Sequence, residues 1–148
     1  MASATIPSLR RLRQACWLAL LLALLSALAP ARAGVVVIGH ASLPRLDDGM
    51  VQKIYSGKVI EVGGVNVTAV NLRSGSTARN HFLQTYLVLD EEKYTAYWTV
   101  RRYIGKGVPP RELGSGAEVV SFVQTTPGAI GYVDDSDLKP GLNVLLRK

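Results

Sequence analysis

Cysteine is nearly absent: the 148-residue chain has one, Cys16, together with two histidines and two phenylalanines. A lone cysteine closes no intrachain disulfide and builds no multi-cysteine metal site. His40 and His81 have no partner at His-x3-His spacing, so no metal is expected. Charge is also sparse, at 19% of residues against 48% hydrophobic, which excludes intrinsic disorder and allows one domain with its own core. Acid is missing altogether from residues 1–33, which carry Arg10, Arg11, Arg13 and Arg32. The remainder holds 13 basic and 11 acidic residues, so the net charge of +6 belongs mostly to the N-terminus and no nucleic-acid partner is expected.

The N-terminus has the layout of a secretory signal. Three arginines precede an apolar stretch over residues 15–29, which is Leu and Ala with few interruptions. Pro30 and Ala31-Arg32-Ala33 then give small residues at the last and third-last positions before a cut after Ala33. The stretch is shorter than the ~20 residues of a membrane span. Residues 1–33 are therefore expected to be removed on export, leaving a cysteine-free periplasmic domain at residues 34–148 with no thiol nucleophile.

That domain trades two hydrophobic periods. Residues 35–38, 65–72 and 129–133 read as strands with near-continuous apolar content, expected to share one mixed sheet flanked by helices on both faces, and residues 142–146 read as a closing strand. Asp47 or Asp48 can cap a helix carrying Met50, Val51, Ile54 and Tyr55, stopped at Gly57. Ser74 or Ser76 can cap a helix with Phe82, Leu83, Tyr86, Leu87 and Leu89 on its apolar face. Another helix begins near Asp90 and ends near Arg101-Arg102, with Tyr94, Tyr97, Trp98 and Ile104 at core spacing. Residues 105–116 read as a loop, and Ser115 caps a last helix that Pro127-Gly128 ends.

Arg73, Ser74, Gly75, Ser76 and Thr77 are the densest polar constellation. A strand that runs through a Ser/Gly/Thr turn into a helix presents unpaired amides, hydroxyls and the positive end of the helix dipole to one point. Arg73 and Arg79 could add bidentate, charge-assisted hydrogen bonds to an oxyanion. Read from composition alone, the same residues make an ordinary helix cap with two solvated arginines. A hydrolase is not expected, because no Gly-x-Ser-x-Gly elbow or placed base accompanies the serines. No Walker lysine follows the turn, since Thr77 is succeeded by Ala78 and Arg79. The acids nearest the turn by topology are Asp47 and Asp48.

Ile54-Tyr55-Ser56-Gly57-Lys58, the stretch at residues 73–77 with Arg79 and Phe82, Tyr97-Trp98, Gly105-Lys106-Gly107 and Pro127-Gly128-Ala129-Ile130-Gly131-Tyr132-Val133 occur in that order. In this they resemble the short phosphate-binding-protein-like family related to the periplasmic receptors of ABC phosphate transporters. The resemblance covers essentially all of residues 34–148. It implies a type II periplasmic-binding-protein-like α/β fold in a single-lobe or truncated version, with Ser74, Gly75, Ser76 and Thr77 as the loop that hydrogen-bonds phosphate and Arg73 as its arginine. The ligand implied is inorganic phosphate or a similar oxyanion, without a cofactor, and the partner an ABC permease or membrane sensor. Pairing of two copies to complete a cleft stays open. The alternative is an interaction or signalling module of the cell envelope that kept the fold and lost the ligand.

Overall fold

The structure, a computed structural model, describes residues 34–148. The expected leader at residues 1–33 lies outside the described residues. Seven strands and four α-helices follow in the order β1 (Val35–Gly39), α1 (Asp48–Tyr55), β2 (Glu61–Val62), β3 (Val65–Asn66), β4 (Thr68–Leu72), α2 (Thr77–Phe82), α3 (Glu91–Tyr103), β5 (Arg111–Leu113), α4 (Gly116–Thr125), β6 (Ala129–Asp134) and β7 (Asn143–Arg147). A π-helical stretch, Leu83–Leu87, continues α2, and a 3-10 turn, Asp135–Asp137, follows β6. Each α-helix starts at a side-chain cap, with Asp47, Ser76, Asp90 and Ser115 accepting the amides of Met50, Arg79, Lys93 and Glu118.

Five strands form one mixed sheet in the order β5-β4-β6-β1-β7. β4 is parallel to β5 and β6, while β1 is antiparallel to both β6 and β7. Every residue of β1 is buried, as are the first five of β6, in keeping with helices on both faces. On one face Gly131 lets α4 approach: a Cβ there would stand 2.5 Å from the Val119 methyl. On the other face Tyr132 stacks on Phe82 at 3.9 Å between ring centroids, and Tyr55 and Tyr86 close around Phe82. Among the described residues the buried side chains form one hydrophobic core within one compact unit. No helix among the described residues is long and apolar enough to cross a membrane.

The structure corrects three expectations. The strand expected over 65–72 is broken. Val65–Asn66 pairs with Glu61–Val62 in a separate hairpin, and the chain then changes partner, with the Thr68 amide donating to the Gly128 carbonyl. The expected loop at 105–116 contains β5, whose three residues are too short to show a period. Ile104 does not join the core but is exposed, because it follows the last turn of α3 and nothing covers it.

Two predictions come from the backbone and the tyrosines. Val88, at φ 57 and ψ 38, is the one non-glycine residue among those described that adopts the left-handed conformation, and its side chain is exposed. A β-branched residue pays about 1–2 kcal/mol there, whereas asparagine tolerates it. Val88→Asn should raise the unfolding free energy by about 1 kcal/mol in thermal denaturation, and an unchanged or lower Tm would refute the strain.

Burial pushes the hydroxyls of Tyr55, Tyr86, Tyr94 and Tyr132 above the usual tyrosine range, and for Tyr55 the neighbouring Tyr132 and Tyr94 add to the effect. A pKa raised by folding gives stability that is fully present below the unfolded value, about 10, and is lost as pH rises from there toward the folded value. The urea midpoint should therefore fall above about pH 10, with tyrosinate absorbance from these residues appearing together with unfolding. Their full ionisation in a protein with native circular dichroism would contradict this.

Candidate functional site

β4, β5 and β6 run in parallel and end on the same side of the sheet, where the crevice of an open α/β fold takes its ligands. β4 ends at Leu72 and turns through Arg73, Ser74, Gly75 and Ser76 into α2. The Ser76 amide closes the turn on the Arg73 carbonyl at 3.2 Å, and Gly75 sits at φ 80 with open space where a Cβ would stand. Ser76 then caps α2: its hydroxyl accepts the Arg79 amide at 3.3 Å and its carbonyl accepts the Asn80 amide at 3.0 Å. The amides of Gly75, Thr77 and Ala78 have no partner among the described residues. Arg73, Ser74, Gly75 and Thr77 are exposed.

The neighbouring turn after β5, Gly114-Ser115, leads into α4, and the Arg73 guanidinium lies over Gly114, with Nη2 3.5 Å from the place a Cβ would take. The two helix ends differ in charge. α4 carries Glu118 in its first turn, which accepts the Gly114 amide at 2.9 Å, and the Asp137 carboxylate packs on Gly116. α1 and α3 also begin with acids, Asp48 and Glu91-Glu92. Among the described α-helices α2 alone has no acid in its first turn, so the positive end of its dipole is not met from within.

Arg79 has a different position from the rest of the constellation. Its side chain is buried, with the residue 4% exposed, and holds two carboxylates. Nε and Nη2 donate to the two oxygens of Glu91 at 2.8 and 2.7 Å, and Nη1 donates to the Leu72 carbonyl at 2.9 Å and to Glu112. Burial alone would push the guanidinium pKa down, but the hydrogen bonds to Glu112 and Glu91 outweigh it and hold the group charged. Glu91 also accepts from the hydroxyls of Ser74 at 2.9 Å and Thr95 at 3.2 Å. The turn thus brings Arg73, Gly75, Ser76 and Thr77 to one surface, while Ser74 and Arg79 face Glu91.

Below the turn β4 and β6 part after Ala69 and Ile130, and a buried polar chain fills the gap. Tyr132 Oη accepts the Leu72 amide at 3.1 Å and donates to Asn71 Oδ1 at 3.3 Å, and Asn71 Nδ2 donates to Tyr94 Oη at 3.1 Å. Sequence reasoning missed Glu91, Glu112, Gly114 and Asn71; an asparagine within an apolar strand was the visible signal for the last. Asp47 and Asp48 lie elsewhere. Asp47 caps α1, and Asp48 pairs with Lys148 just past β7, three positions from β4 in the sheet.

Arg79→Met should lower the unfolding free energy in urea by roughly 3 kcal/mol, the low end for stripping one partner from a buried ion pair, because the Glu112 side chain is 48% exposed. Arg79→Lys should recover little, since an ammonium cannot make the paired contact with Glu91. A midpoint equal to wild type in Arg79→Met would contradict this account.

Neither a protein-family model nor a curated protein matches the sequence. Solved structures do. The chain is similar to a putative phosphate ABC transporter substrate-binding protein with bound phosphate from Clostridium perfringens, with a TM-score of 0.60 and 20% identity over 76% of this chain and 44% of that one. It is similar to PstS from Borrelia burgdorferi at a TM-score of 0.56 and 18% identity, over 76% and 46% of the two chains. An ABC-type phosphate transport receptor from Vibrio cholerae gives 0.53 and 13%, over 76% and 45%. The chain spans less than half the length of each. At these identities the likeness establishes the fold alone: a mixed sheet flanked by helices, of the kind found in substrate-binding transport receptors.

Proposed function

We propose that the protein is an exported, non-enzymatic solute-binding protein that holds inorganic phosphate or a similar oxyanion at the turn of residues 73–77, in the service of phosphate uptake or sensing. The observation that carries this reading is the uncompensated N-terminus of α2, with the unpartnered amides of Gly75, Thr77 and Ala78 beside the exposed Arg73. Converging amides bind an anion without a side-chain entropy cost. Arg73 supplies the charge and a two-pronged donor, and Thr77 supplies a hydroxyl. Gly75 permits the backbone turn, while Ser76 fixes the first turn of α2. Ser74 and Arg79 hold the loop against Glu91, with the charge of Arg79 already met by two carboxylates. The fold supports the reading, since one of the similar structures contains phosphate. In this reading the turn is one wall of a cleft, and a second copy, an ABC permease or a membrane sensor would supply the other.

The engagement of Ser74 and Arg79 by Glu91 favours a second reading, in which the turn is a sealed cap and the domain an interaction module of the envelope. Calorimetric titration of residues 34–148 with phosphate separates the two. Binding is expected, and Thr77→Ala should weaken it by about 1–3 kcal/mol, the cost of a lost hydrogen bond to a charged group. Arg73→Ala should lose more and leave the residual affinity less sensitive to salt. Ser76→Ala should cost both affinity and about 1 kcal/mol of stability through the lost cap. No heat at millimolar phosphate, or wild-type binding by Thr77→Ala and Arg73→Ala, would leave the second reading standing.

A further inference from the structure

The far end of α3 has a character that neither the core nor the oxyanion turn uses. Residues 100–111, Val-Arg-Arg-Tyr-Ile-Gly-Lys-Gly-Val-Pro-Pro-Arg, contain four bases and no acid. Bases in the last turn of a helix are explained by its dipole. The apolar residues among them are not, because Tyr103 is 91% exposed, Val108 69%, Val100 60% and Ile104 55%. Gly105 and Gly107, at φ 71 and 112, turn the chain back tightly, so these side chains project from a tip. Arg101 is committed to the fold, with Nη2 donating to the carbonyls of Gly57 and Lys106 and its guanidinium over the rings of Tyr97 and Trp98. Arg102, Lys106 and Arg111 have no carboxylate partner among the described residues. Beside the tip a slot of about 580 Å³ opens between α3 and the approach to β5, lined at its outer end by Arg102, Val108 and Arg111 and further in by Arg79 and the Glu112 carboxylate that Arg79 holds.

We infer that this tip docks on an anionic phospholipid surface, with Tyr103, Ile104 and Val108 in the headgroup–acyl boundary and Arg102, Lys106 and Arg111 on the lipid phosphates. The charge complementarity is one-sided: a surface of uniform negative charge matches a segment with bases and no acids. A protein partner is matched less well, because Val100, Tyr103 and Ile104 project singly outside the slot that Val108 lines, whereas a lipid headgroup layer deforms around them. The outer end of the slot, where Arg102 and Arg111 have no carboxylate partner among the described residues, gives one headgroup phosphate a seat, since Glu112 deeper in is already held by Arg79. α3 puts the tip about 18 Å along its axis from Glu91 at the oxyanion turn, so docking would leave the turn open.

Sedimentation of residues 34–148 with vesicles of phosphatidylglycerol and phosphatidylcholine in equal parts, against phosphatidylcholine alone, tests this without the apolar leader. Binding to the anionic vesicles that falls with added salt is expected, with little to the neutral ones. Arg102→Gln with Lys106→Gln should weaken it about 25-fold, about five-fold for each base. Tyr103→Ser with Ile104→Ser should weaken it at least about ten-fold, with circular dichroism and phosphate titration unchanged. Absence of binding to anionic vesicles, equal binding to both compositions, or wild-type binding by either double variant would overturn the inference. So would a dimer in sedimentation velocity that Tyr103→Ser with Ile104→Ser dissolves while vesicles bind nothing, because the tip would then be a protein interface.

Discussion

One buried guanidinium holds the working end of this molecule together. Arg79 reaches from α2 to Glu91 at the start of α3, to Glu112 on β5 and to the carbonyl that ends β4. Each of these is otherwise weakly fixed: β5 is three residues long, and β4 has already left its ladder with β6. A charge buried to this degree is tolerable only when paired and fully hydrogen-bonded, and here four of the five guanidinium hydrogens have acceptors. The same pairing settles the charge at the turn. With two carboxylates against one guanidinium the knot carries no surplus positive charge, which leaves Arg73 as the exposed cation of the turn.

The aromatic hydroxyls supply the second constraint. Where β4 and β6 separate, the Leu72 amide and the Asn71 amide group would lie unpaired in the core, and Tyr132 and Tyr94 satisfy them. An unmet buried polar group costs more than a formed hydrogen bond contributes. The strands can therefore splay only because these tyrosines span the gap. Splaying in turn frees the end of β4 to turn outward as a loop, which links the burial of Tyr94 and Tyr132 to the exposure of Arg73, Ser74, Gly75 and Thr77.

Features set by residues three or four apart were legible in the sequence. A cap bonds an amide three positions on, so the sequence narrows the caps to Asp47 or Asp48, Ser74 or Ser76, Asp90 and Ser115. The structure selects Asp47 and Ser76 in the first two, and the apolar runs of β1 and β6 announce burial on both faces. The turn at 73–77 stood out for the same local reason. What escaped is set by distance in the chain. Arg79 finds Glu91 and Glu112 at separations of 12 and 33 residues, and only the packing of α3 and β5 selects them from the other acids. Periodicity marked the face of α3 that Tyr94 and Trp98 bury, but Ile104 shows that a favourable position beyond the last turn does not bring a covering neighbour with it. Likewise nothing at 65–72 announces the change of partner, because Val65–Asn66 and Thr68–Leu72 are equally strand-like and the break is imposed by Gly128.

α3 ties these observations together, since its two ends have opposite electrostatic tasks. Its N-terminus gathers Asp90, Glu91 and Glu92, and Glu91 spends its charge on Arg79 and on the hydroxyls of Ser74 and Thr95. Its C-terminus and the following loop gather bases that find no carboxylate among the described residues. The dipole of α3 favours both placements, so the helix is stabilised by the charge separation it creates. The consequence is a molecule with two cationic surfaces of different construction. At the turn, amides without partners and a single exposed arginine stand above the knot. At the tip, basic side chains stand among exposed apolar ones. α3 separates the two, and the slot along it is lined at one end by Arg79 and Glu112 of the knot and at the other by Arg102.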